Sequence, residues 1–126
     1  MFDDKLKLCS AQTVTTSAIS NNVIDLDSTS PLVAEGRPLY VYAYLTTAWT
    51  SSTTLTIAIE LYQGTTATVD TEVMELQEAQ TTASYSAGRI LKIPLPIGKI
   101  TSRYLGLHFT CSSTVESGIV DAYLAP

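Results

Sequence analysis

Leu39-Tyr40-Val41-Tyr42-Ala43-Tyr44-Leu45 places aliphatic side chains at alternate positions and tyrosines at the others. A period of two is that of a β-strand, whose successive side chains point to opposite faces of a sheet. One face of this strand is aliphatic and suited to a core; the other is a row of three aromatic rings. The same alternation returns downstream. In Leu55–Tyr62 the side chains of Leu55, Ile57, Ile59 and Leu61 share one side, and the Ser/Thr run before them reads as a loop between two strands. Arg103–Cys111 sends Leu105, Leu107, Phe109 and Cys111 inward and His108 outward, and Ile119–Leu124 offers Val120, Ala122 and Leu124 to the core.

Weaker strands fill the intervals. Ala18–Leu26 contains Val23-Ile24-Asp25-Leu26, and Ile90–Leu95 alternates Leu91, Ile93 and Leu95 with Lys92 and Pro94. Pro94 and Pro96 donate no ladder hydrogen bond, so this strand is expected to lie at a sheet edge or to break early. Asp70–Gln80 carries Glu72, Glu75 and Glu78 at helical spacing among good helix formers. It is nevertheless read as a strand, because no Pro or Gly marks a helix start and its neighbours on both sides are β-rich. Seven or eight short strands in 126 residues, separated by Ser/Thr/Gly/Pro loops, predict an all-β fold, an antiparallel β-sandwich or barrel. The long loops, Asp27–Pro38, Thr46–Thr54 and the stretch around Gln80–Arg89, suit Greek-key crossings as well as binding loops.

The composition agrees, with 19 Thr and 13 Ser against 15% charged residues. A chain of this length buries roughly two-thirds of its unfolded surface, enough for one two-layer core. The formal net charge of −5 and seven scattered basic residues argue against nucleic acid and anionic membranes as partners. The N-terminus lacks the apolar stretch of a secretion signal, and Leu39–Leu45 falls far short of the roughly 20 residues of a membrane span. The expectation is a soluble protein made in a cytoplasm, with Cys9 and Cys111 as reduced thiols. Two distant cysteines and a lone His108 do not make a zinc site, and no metal or cofactor is expected.

Nothing in the sequence points to an enzyme. His108 lies on an outward strand face with no G-x-S-x-G nucleophile motif in the chain. Asp25 and Asp27 sit near a strand end, where acids commonly terminate strands, and are not a glycosidase pair. Gly88 and Gly98 read as isolated turn glycines, with no phosphate-cradling loop, so no small-molecule substrate is expected.

Two features invite a binding role. Tyr40, Tyr42 and Tyr44 would form an exposed aromatic patch unless covered. Subunit contact is the preferred reading, ahead of packing under the protein's own loops or a glycan-stacking platform. Trp49, the single tryptophan, lies in the Thr46–Thr54 loop and either folds back to cap the core or projects as an interface anchor.

The block Leu6-Lys7-Leu8-Cys9-Ser10-Ala11-Gln12-Thr13-Val14, continuing to Val23-Ile24-Asp25-Leu26, resembles the opening of a tailed-phage capsid cement family typified by a Bordetella phage. Similarity continues through Pro38–Val41, Leu55–Ile59, Leu95–Gly98 and Arg103–Leu107. Cys9-Ser10 stands where the family tends to have Ser-Asp, and Asp70–Gly88 shows little that aligns. The resemblance implies a jelly-roll sandwich that dimerises on the outer surface of a phage head and clamps copies of a major capsid protein of the HK97-like fold. It further suggests residues 1–17 as an extended arm preceding a single sandwich domain, 18–126. In that picture Leu6 and Leu8 of the arm, together with Trp49, touch the capsid, and deleting residues 2–12 would leave the fold intact. The alternative is a carbohydrate-binding β-sandwich of a tail fibre or lectin-like module.

Overall fold

The structure, a computed structural model, describes residues 6–26, 39–51, 54–96 and 98–126. The expected loop Asp27–Pro38, and residues 1–5 of the expected arm, lie outside the described residues. Within them the chain runs through β1 (Lys7–Thr13), β2 (Ala18–Ile19), β3 (Ile24–Asp25), β4 (Tyr40–Thr50), β5 (Thr56–Gly64), β6 (Thr71–Thr81), β7 (Gly88–Pro94), β8 (Tyr104–Cys111) and β9 (Ser117–Ala125). A short 3-10 turn lies at Thr82–Ser84, between β6 and β7.

Two antiparallel sheets pack as a sandwich. The first has the order β1-β9-β4-β7; the second has the order β2-β8-β5-β6, with β3 also paired to β8. Apart from the β2–β3 and β5–β6 steps, every connection carries the chain from one sheet to the other. The inward alternation anticipated from sequence fills the space between them. Val41, Ala43 and Leu45 of β4 and Val120, Ala122 and Leu124 of β9 face Ile57, Ile59 and Leu61 of β5 and Leu105, Leu107 and Phe109 of β8, all 1% exposed or less. Each fully buried large aliphatic or aromatic side chain of this set contributes about 1.5–3 kcal/mol against the entropy of ordering the chain.

Both strands on one flank are edges. β7 pairs only with β4 and carries Pro94 on its last rung. β6 pairs only with β5, through a ladder broken by three register shifts, and irregular, charged edges resist pairing with other chains. The three-residue spacing of Glu72 and Glu75, which imitates a helix, is the footprint of such a bulge. Tyr62 opposes Glu72 and Glu60 opposes Glu75, so two residues of β5 span three of β6.

The N-terminal segment corrects one expectation. Instead of a separate arm, Lys7–Thr13 is the edge strand of the first sheet, paired with β9. Leu8 and Val14 are fully buried and Leu6 packs partly against the core. The capsid contact expected at Leu8 is therefore occupied by the sandwich itself, and removing residues 2–12 would strip away most of a strand. The Ala18–Leu26 region also differs, splitting into two-residue strands around a turn at Ser20–Val23. Gln12 fastens this turn: its side-chain amide donates to the Ile19 carbonyl (2.9 Å) and its side-chain oxygen accepts from the Asn21 N–H (2.7 Å).

Trp49 is the second correction. β4 continues to Thr50, and the indole is 3% exposed, edge-on to Tyr85 and Phe109 with centroids 4.8 and 6.4 Å away. Its Nε1–H donates to the Val14 carbonyl at 2.9 Å, satisfying the one polar atom that burial would otherwise strand. Gly118 leaves the room, since a Cβ there would land on the indole ring. Of the two readings of this residue the structure shows the core cap, and a side chain so enclosed cannot anchor a partner. Cys9 is buried, Cys111 is half-buried, and both are free thiols. Burial, with the Asp121 carboxylate nearby, pushes the Cys9 thiol up to about 12.

Candidate functional site

The outer face of the first sheet is built by β4 and its neighbours. Because Val41, Ala43 and Leu45 point inward, Tyr40, Tyr42 and Tyr44 must point outward, and each is half-buried there. β9 contributes Tyr123, in register with Tyr42. Its ring stacks on Tyr42 (centroids 5.3 Å, planes 17° apart) and on Tyr44 (5.9 Å, 11°), while Tyr40 tilts against Tyr42 at 6.3 Å. The result is one continuous aromatic field, in which each stacked pair adds about 0.5–1.5 kcal/mol beyond area burial.

Polar groups finish this field. The Tyr123 hydroxyl donates to that of Tyr44 at 3.4 Å. That bond, with burial and the neighbouring phenols Tyr44 and Tyr42, pushes the Tyr123 phenol up to about 12. The Tyr42 hydroxyl donates to the Pro126 carbonyl, also at 3.4 Å. Along β7, Lys92 lies opposite Tyr42 and Arg89 opposite Tyr44, a bulge at Ile90 bringing both cations to the outer face. The Lys92 ammonium sits 4.9 Å from the Tyr40 ring centroid and 5.6 Å from that of Tyr42, an electrostatic attraction to the ring faces. On the other side Lys7 is in register with Tyr123. The one carboxylate on this face among the described residues, Asp121, accepts a hydrogen bond from the Ala11 N–H at 2.7 Å, with Ala11 at φ 47°, a left-handed conformation.

The outer face of the second sheet holds a different cluster. His108 stacks on Tyr62 at 4.7 Å, and its Nδ1 lies 3.4 Å from a Glu60 oxygen and 3.1 Å from the Thr110 hydroxyl. Thr110 also donates to the Glu60 carboxylate at 3.1 Å. Thr, His and Glu together suggest a nucleophile relay, but the geometry is wrong for one. A relay needs the nucleophile on one ring nitrogen and the acid on the other, whereas here both partners meet Nδ1. The arrangement instead satisfies the buried Glu60 carboxylate. Glu72 and Glu75 extend the face across β6. Tyr62 is pushed up by burial first, then by Glu60 and Glu72.

Elsewhere, Asp25 is held by a bidentate pair with Arg103 (2.7 and 2.9 Å), a surface ion pair; Asp27, its proposed companion, lies outside the described residues. Gly88 and Gly98 adopt positive φ, as turn glycines do. An open notch of about 310 Å³ lies between the β6 and β7 edges, lined by Gln77, Gln80, Tyr85, Ser86, Arg89 and Ile90 among others. Among the described residues no group of three His, Cys, Asp or Glu is placed to hold a metal ion, and no helix is long and apolar enough to cross a membrane.

The structure thus brings Tyr40, Tyr42 and Tyr44 together and separates them from Trp49 and Leu8, which are inside. Tyr123 and the β7 cations, which join the tyrosines, were not singled out from sequence. The alternation of β9 already placed Tyr123 outward, but only its pairing with β4 sets it beside the row.

Architecture and surface define a small two-sheet β-sandwich whose distinctive groups lie on its flat outer faces. Residues 8–124 match the family model of Bbp16, and the chain belongs to the Bbp16 family. This agrees with the Bordetella phage family that the N-terminal block resembles. No curated protein matches the chain.

Proposed function

We propose that this is a capsid decoration protein: a non-enzymatic virion component that sits on the outer surface of a phage head and reinforces contacts between subunits of a major capsid protein of the HK97-like fold. The observation that carries the reading is the outer face of the first sheet, a continuous tyrosine field with basic residues at its rim, on a molecule of net charge −5. Such a surface is suited to adhesion, because aromatic rings offer large contact area at low entropic cost. The resemblance of the N-terminal block to a phage capsid cement family implies the same role, and the match to the Bbp16 family is consistent with that Bordetella phage family. The strand order, which we interpret as a jelly roll, a four-strand and a five-strand layer with most connections crossing between them, supports the same reading.

The mechanism would be mechanical. A head expanding around packaged DNA strains the joints between capsomers, and an adhesive bound across a joint adds buried area that separation would have to expose. If the protein acts as a homodimer, the second copy is held near its site once the first has bound, and modest affinity per site suffices.

The test is co-sedimentation of the purified protein with decoration-free expanded heads and with procapsids, alongside light scattering of the free protein. Saturable binding to expanded heads by a species of twice the chain mass is the expected result. Absence of binding to either particle would remove the decoration reading.

A further inference from the structure

Charge is segregated on this molecule, and the segregation bears on what the tyrosine field meets. Twelve acidic residues face seven basic ones in the whole chain. Among the described residues, the balance reverses on the outer face of the first sheet: Lys7, Arg89 and Lys92 border the tyrosines, and the one described carboxylate, Asp121, accepts a hydrogen bond from the Ala11 N–H. On the second sheet, Glu60, Glu72 and Glu75 share a face.

Resting on the decoration reading, we infer that the tyrosine field of the first sheet, with Arg89 and Lys92, is the surface that docks on the shell, and that its occupant is a carboxylate-rich patch of the capsid protein rather than a second copy of this chain. Charge complementarity supports the choice. Around a twofold axis this face would meet itself, so the cations of one copy would approach cations of the other, with Asp121 the one carboxylate among the described residues of this face to oppose them. Juxtaposed like charges penalise an interface, whereas opposite potentials steer and register one. The chemistry of the face fits carboxylates further. The Tyr44 hydroxyl accepts a hydrogen bond from Tyr123, so its own hydrogen is not spent in that bond, and Arg89 is exposed, with a planar fork matched to a carboxylate. Lys92, held over two rings, is a placed point charge at the margin. The subunit contact expected from the tyrosine row is thereby reassigned, and any dimer contact falls on another surface.

Lys92→Glu and Arg89→Glu, each against Lys99→Glu, form the test, since Lys99 is an exposed lysine outside this face and its reversal changes net charge equally. Binding to expanded heads and solution mass are measured for all three, with thermal melts confirming the fold. Affinity lower by about tenfold for the β7 variants, about unchanged for Lys99→Glu, and an unaltered mass are expected. Wild-type binding should also weaken as salt rises. A fall in mass for the β7 variants would overturn the inference and return the face to a second copy, and undiminished head binding by those variants would overturn it too. A wild-type protein that binds no head would remove the decoration reading and this inference with it, an outcome distinguishable because no variant is needed to see it.

Discussion

On the outer face of the first sheet, Tyr42 and Tyr44 flank the ring of Tyr123 while Arg89 and Lys92 stand at the margin; on the outer face of the second, Tyr62 lies against His108 and Glu60, Glu72 and Glu75 surround them. The construction is parallel. In each sheet a central strand, β4 or β5, supplies outward aromatics, and an edge strand beside it, β7 or β6, carries a one-residue bulge. That bulge puts two like charges, three positions apart, on the same face: Arg89 and Lys92 in one sheet, Glu72 and Glu75 in the other. The same backbone device therefore yields opposite electrostatics, and the composition of an edge strand sets the sign of a face. Even the tyrosines register the difference. Tyr123 is pushed up chiefly by its bond to Tyr44, whereas Tyr62 is pushed up by burial and then by carboxylates.

Both faces hang on one shared core, so the largest effect comes from breaking that. Trp49→Ala removes an indole that touches Tyr85 and Phe109 and caps the Val14 carbonyl. It should cost about 3–5 kcal/mol, a large part of the stability of a domain this size, and should abolish the contrast by loosening both sheets together. Urea unfolding followed by far-ultraviolet circular dichroism measures it; a loss below about 1 kcal/mol would mean that the ring is dispensable to the packing between the sheets.

A smaller change separates the faces. Tyr123→Phe keeps the stacked ring and deletes the long 3.4 Å hydroxyl contact, for about 0.5 kcal/mol near neutral pH. Its stronger signature is in alkali. A phenol raised from 10.0 to about 12 on folding favours the folded state fully below pH 10, and this contribution is lost as pH climbs through about 12. Tyr123→Phe should therefore flatten part of the decline in melting temperature over that window. Tyr85 and Cys9, both also raised to about 12 chiefly by burial, keep part of the remainder. An unchanged alkaline profile would show that Tyr123 titrates alike in folded and unfolded chains.

How much of this was legible in the sequence follows from where regular alternation survives. The inward residues of β4, β5, β8 and β9, and the tyrosine row opposite them, were readable because a period of two holds across those segments. Trp49 was not, because β4 passes through two register shifts after Leu45 in a Thr-rich stretch that reads as loop. β1 was hidden for the same reason: two shifts in seven residues leave only Leu6 and Leu8 in phase. The N-terminal block that carries the family resemblance proves to be a fastening of β1 to the β2–β3 turn through Gln12, with Ser10 N–H reaching Asn21. The charge contrast lay deeper still. Glu72 and Glu75 looked helical, and Arg89 and Lys92 unrelated to the tyrosines, until pairing with a neighbouring strand converted a spacing of three into one face.

The smallest expected effect is the sharpest comparison of the two edges. Glu75 stands directly across from Glu60, whose carboxylate is 8% exposed and committed to Thr110. Like charges directly opposite each other on a sheet destabilise it, and opposite charges stabilise it, each by about 0.2–1 kcal/mol. Glu75→Lys should therefore stabilise the fold, raising the melting temperature by about 1–4 °C at low salt and less at high salt. If the second sheet faces away from the shell, the same substitution leaves head binding unchanged, in contrast to charge reversal at Lys92. A stabilised protein that loses head binding would mean that the acidic face meets the shell as well, and that the two faces differ in charge without differing in role.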